Sequence, residues 1–140
     1  MSNPHKARAN ALISQNKTLL GGIKSSRKNW VKAKTAHNEA ELYLSRVTEG
    51  LIIEISREID DEALTDPTTG RKEPAWAQLV INQLLVDRSE YIAAHEKKVE
   101  AEAALMRAEI DASDAADALA SNRSVMRLES VLLAKESEDA

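Results

Sequence analysis

The stretch Thr65-Asp66-Pro67-Thr68-Thr69-Gly70-Arg71-Lys72-Glu73-Pro74 decides how this chain folds, because it is the one dense cluster of turn formers in the sequence. Pro67 fixes φ, Gly70 permits positive φ, and Pro74 suits the first turn of a helix, where its missing N–H costs nothing. On both sides the composition is that of long helices: 30% charged residues, four glycines and three prolines. The stretch therefore reads as a loop over residues 64–73 that joins an arm at 5–63 to an arm at 74–135. Arms of nearly equal length predict an all-α antiparallel helical hairpin of the coiled-coil type, forming a single domain over residues 1–140.

Periodicity extends this reading along the first arm. Ile23, Ser26, Trp30, Ala33, His37, Ala40, Leu44, Val47 and Leu51 alternate in steps of three and four, which places them on one seam. Ile52, Ile55 and Ile59 continue the stripe. On the second arm Leu84, Tyr91, Leu105, Leu119, Met126 and Leu133 form a seven-residue ladder, interrupted by Lys98 and Ala112. A column of Ala94, Ala101, Ala108 and Ala115 runs beside it. One small residue per heptad lets helices approach closely. With the loop centred near residue 69, position i faces about 137−i, so Leu51 meets Leu84, Leu44 meets Ala94, and Trp30 lies over Ala104–Ala108. Large residues then oppose small ones, as interdigitation requires.

Gly21-Gly22 leaves two readings open for the first arm. Two glycines inside a helix cost about 1 kcal/mol each relative to alanine, so the arm either breaks or bends there, or continues at that cost. The composition also limits the core: there is no Phe, and aromatic bulk is confined to Trp30, Tyr43, Trp76 and Tyr91. Ala-rich helices suit thin, closely packed layers, and a thin pair leaves apolar stripe exposed. Self-association into a homo-oligomer is the expected consequence.

The charge distribution is lopsided. Residues 1–38 hold eight lysines and arginines and no Asp or Glu, whereas all 23 acidic residues lie beyond them. Such a split implies either internal pairing of the two arms or an anionic partner. Arg27 and Lys34 flank the seam and are placed to reach acids on the other arm. The facing segment holds Glu100, Glu102, Glu109, Asp111, Asp114 and Asp117, and charges flanking a seam can fix its register. Lys24, Lys28 and Lys32 point away from the seam at 100° per residue, and Lys17 joins them if the helix is continuous. A basic helical face of this kind binds nucleic acid through backbone phosphate. No aromatic residues interleave the lysines except Trp30 on the seam, so stacking on single-stranded bases is poorly served.

Other candidate chemistry is thin. His37 sits on the seam, with neither His5 nor His95 at ligand spacing, and reads as a polar register residue. Asp60, Asp61, Glu62 and Asp66 lack the alternation of a calcium loop. Trp76 reads as a cap on the hairpin tip, packing on Leu64 or Ile59, with a role as anchor for a protein partner as the alternative. No phosphate-binding loop, metal constellation or charge relay is present, so no enzyme activity, cofactor or small-molecule substrate is expected. There is no cysteine, which excludes disulfides. The start lacks a signal-peptide pattern, and no apolar run approaches the ~20 residues of a membrane span. The expectation is a cytoplasmic protein without membrane contact.

Two segments carry a resemblance. Asp66-Pro67-Thr68-Thr69-Gly70-Arg71-Lys72, followed by a long helix ending in Asn122-Arg123-Ser124-Val125-Met126-Arg127-Leu128-Glu129-Ser130-Val131-Leu132, resembles a loose group of small phage and prophage coiled-coil proteins. The resemblance covers about half of the chain. Proteins that look like this are often encoded beside phage recombination and single-strand-binding genes, so the resemblance implies an accessory role in DNA metabolism. The expected partner is DNA or a DNA-processing protein. The rival expectation is a protein-binding adaptor or inhibitor without DNA binding, using Trp76 or the acidic face of Glu109, Asp111 and Asp114.

Overall fold

A computed structural model describes residues 4–139 as three helices: α1 (Pro4–Glu58), α2 (Pro74–Val86) and α3 (Ser89–Asp139). The helices α1 and α3 pack against each other, giving the all-α helical hairpin. The chain divides into two compact units, one built from Met1–Ala33 with Leu105–Ala140 and the other from Lys34–Ala104. Each seam residue predicted on α1 from Ile23 to Val47 is partly buried, and Leu51 and Ile55 are fully buried. The helix exists because a strict three–four repeat gives it one continuous face to bury, which outweighs local propensity.

In the unit carrying the loop, the core consists of Leu51, Ile55 and Leu85, with Val47, Ile52, Ile59, Ile81 and Tyr91 packed around it. Ile55 is completely enclosed. The loop is built as its residues require. Gly70 adopts φ +67, the Asp66 carboxylate accepts the Thr68 N–H at 2.8 Å, and Thr65 and Lys72 form a single antiparallel bridge. Pro74 opens α2 after Glu73, whose backbone is extended.

Three boundaries depart from expectation. The first helix ends at Glu58 and not near residue 63. Asp60, Asp61 and Glu62 follow, and negative charge is unfavourable at a helix C-terminus, so residues 60–65 close as successive turns instead. The second arm is two helices, interrupted at Asp87-Arg88. Asp and Ser around this point compete for backbone hydrogen bonds, and the Arg88 carbonyl accepts the Ile92 N–H at 3.0 Å to start α3. The interruption shifts the phase by one residue, so Leu85 occupies the core beside Leu51, while Leu84, the expected partner, is 40% exposed. Finally, α3 continues to Asp139.

The helix does not break at Gly21-Gly22: α1 runs through both glycines. Both lie on the exposed side, where a Cβ would meet nothing within 4 Å. Leu19 and Ile23 flank them on the seam and are partly buried. Packing on either side holds the helix through its weakest two residues.

In the unit carrying the chain ends, large aliphatic burial gives way to small and polar groups. Ala108 and Leu119 are buried, together with Asn122 and Glu129. On α3 the ladder at Tyr91, Lys98, Leu105, Ala112, Leu119, Met126 and Leu133 is continuous, because Lys98 and Ala112 are themselves partly buried. The alanine column likewise runs on past Ala115 through Asn122 and Glu129.

Candidate nucleic-acid interface

The basic segment of α1 divides into two sets of side chains. The first set faces the seam. His5 Nδ1 lies 2.9 Å from Glu129 Oε2, and its Nε2 lies 3.3 Å from Glu136 Oε1. Arg8 adds a contact at 3.6 Å to Glu129 Oε1. Close by, the Asn122 amide donates to the Leu12 carbonyl at 3.2 Å. The pairs His5–Glu129, His5–Glu136, Arg8–Glu129 and Leu12–Asn122 fall on both sides of the expected pairing of i with 137−i, and Arg8–Glu129 matches it.

The second set comprises Lys17, Lys24, Lys28 and Lys32. All four are exposed, and none forms an ion pair with a described residue. From Lys17 to Lys32 there are 15 residue steps, or about 22 Å of helix at 1.5 Å each. No Asp or Glu occurs on α1 before Glu39, so nothing on their own helix neutralises them over that length.

Arg27 is also exposed and makes no ion pair with a described residue, so it does not reach the acids of the other arm as expected. Glu109, Asp111 and Asp114 are exposed on α3 and form no ion pairs among the described residues. Among the described residues, His5 and Arg8 join the basic segment to α3, whereas Arg27, Glu109, Asp111 and Asp114 form no ion pair. Sequence reading missed this joint because His5, Asn122 and Glu129 are polar. The available signal was spacing alone: Asn122 and Glu129 stand seven and fourteen residues after Ala115.

Trp76 is partly buried, and its Nε1–H donates to the Ala63 carbonyl at 3.2 Å. The indole is thereby tied to the chain entering the loop. Lys72 Nζ lies 3.0 Å from Asp61 Oδ1 across the same loop. At the junction of α2 and α3 the Arg88 guanidinium donates to Glu58 Oε2 at 2.7 Å. That hydrogen bond, with the Glu58 charge, raises the Arg88 pKa above its ordinary value.

His37 occupies its seam position, partly buried, 3.5 Å from Glu41 on the next turn. Its Nε2, the atom that faces Glu41, and the Asn16 Oδ1 are enclosed without a hydrogen-bond partner among the described residues. Among the described residues no group of three or more His, Asp or Glu side chains could hold a metal ion. None of the described helices is long and apolar enough to cross a membrane. No protein-family model, curated protein or solved structure matches this chain.

Proposed function

We propose that this chain is a non-enzymatic binding and scaffolding protein that contacts nucleic acid through the outward face of α1. The observation that carries the reading is the exposure of Lys17, Lys24, Lys28 and Lys32 without any carboxylate partner among the described residues. A row of uncompensated lysines on a rigid helix attracts phosphate by charge and releases counterions, without reading sequence. Its affinity falls steeply as salt rises. The resemblance to phage and prophage coiled-coil proteins fits an accessory role in DNA metabolism, with cytoplasmic location as part of the same proposal.

The test is fluorescence anisotropy of the full chain with a labelled duplex of random sequence at a series of salt concentrations. The reading requires binding at low salt that weakens steadily with added salt. Changing Lys24, Lys28 and Lys32 to Glu abolishes it while far-UV circular dichroism stays unchanged. No binding at low salt, or equal binding by the triple variant, overturns it.

A second reading has its own support. Glu109, Asp111 and Asp114 are exposed and lack ion-pair partners among the described residues, which suits a basic surface on a protein partner. An adaptor or inhibitor of a larger enzyme uses such a face, and it survives loss of the lysines. Co-purification with protein but not nucleic acid favours this reading over the first.

A further inference from the structure

A second stripe runs along α3 beside the one that packs on α1. Met106, Glu109, Ser113, Ala116, Ala120, Arg123 and Arg127 follow one another in steps of three and four, so they share a helix face. All seven are exposed, and Met106 is 59% exposed. Neither Glu109 nor either arginine forms an ion pair with a described residue. The order along the stripe is acid with methionine, then small residues, then two arginines.

That order is self-complementary. Ala116 lies midway between Glu109 and Arg123, seven residues from each. Turning a second copy of the helix antiparallel about Ala116 therefore sets each Glu109 against the other copy's Arg123. The same rotation sets Ser113 near Ala120 and brings Met106 to the position of Met126 and Arg127. There the surface opens into a groove of about 560 Å³ lined by Arg123, Met126, Arg127, Ser130 and Val131. The groove is apolar at Met126 and Val131, which suits an exposed methionine, and its arginines suit the acid beside that methionine.

We propose that this face of α3 is an isologous interface with a second copy of the chain, centred on Ala116. Small residues at the centre let two helices approach closely. The paired charges on either side set antiparallel orientation and register, and a two-fold axis uses each patch twice. The face lies on α3, whereas the lysines of the proposed nucleic-acid contact lie on α1, so the two proposals stand or fall separately.

The test is sedimentation equilibrium of the full chain without nucleic acid, over a wide concentration range. The interface predicts a species of twice the 15.4 kDa chain mass. E109R or R123E alone weakens self-association at least tenfold by opposing like charges. Combining E109R with R123E restores it. Because the chain has no cysteine, A116C supplies a geometric check: mild oxidation links it into a covalent dimer, whereas S45C, an exposed site away from the face, stays monomeric under the same treatment. The lysine triple variant K24E/K28E/K32E keeps the wild-type mass distribution. A monomer at every concentration, a double variant no better than the singles, or equal cross-linking of S45C and A116C overturns the proposal. Should a charge variant lose helicity, the cysteine pair alone decides.

Discussion

The unit carrying the loop and the unit carrying the chain ends solve the same packing problem with different materials. The first encloses Leu51, Ile55 and Leu85, with Ile55 wholly buried. The second buries Ala108 and Leu119 beside two polar residues, Asn122 and Glu129, which meet the Leu12 carbonyl and His5. Aliphatic burial is strong, but a shifted register can still bury another aliphatic group in its place. A buried carboxylate or amide adds little net stability, yet it is costly to misplace, because a shift leaves it unpaired. The loop unit therefore supplies the stability of the hairpin, and the unit at the chain ends supplies its alignment.

The largest effect expected from breaking this contrast is in the aliphatic core. Ile55→Ala removes a fully enclosed side chain and lowers stability by about 2–5 kcal/mol, read from the urea midpoint at unchanged slope. A loss below about 1 kcal/mol would place the main core elsewhere. Next comes the polar joint. His5→Ala leaves Glu129 buried with only the longer Arg8 contact, at a cost of about 1–3 kcal/mol. Partial restoration by adding Glu129→Gln, checked in a double-mutant cycle, would tie that cost to the pair.

Smaller effects sharpen the picture. Gly21→Ala and Gly22→Ala each raise stability by about 1 kcal/mol, since added methyl groups meet open space. A destabilisation in thermal melts would mean that the glycines serve a close approach by something else. The smallest effect belongs to the acidic segment. Changing Asp111 and Asp114 together to Asn shifts stability by no more than about 0.5 kcal/mol, because neither carboxylate has an ion-pair partner among the described residues. A drop of several degrees in the melting temperature would restore internal charge pairing as the reason for the lopsided sequence.

The hairpin was legible in the sequence because turn chemistry and heptad spacing are local and reinforce each other. Pro67, Gly70 and Pro74 locate the loop, and the stripe from Ile23 to Leu51 locates the buried face. The phase shift at Asp87-Arg88 was hidden, since Leu84 and Leu85 are equally apolar and only the interruption selects Leu85. The joint at Glu129 was hidden for a different reason. A pattern sought in apolar residues stops at Ala115, although the spacing itself continues through Asn122 and Glu129. The outward direction of Lys24, Lys28 and Lys32 followed from helix geometry alone, whereas the isolation of Arg27 did not. A flanking position gives a side chain reach but does not guarantee a partner within it.

Residue-resolved amide hydrogen exchange of the full chain tests the division between the two units most directly. The slowest amides should lie around Leu51–Ile55, where opening requires exposing the aliphatic core. Amides around Leu12–Leu19 and Asn122–Glu129 should exchange at least about tenfold faster, through opening of the polar seam without global unfolding. Uniform protection along α1 and α3, or slowest exchange at the chain-end unit, would contradict the account.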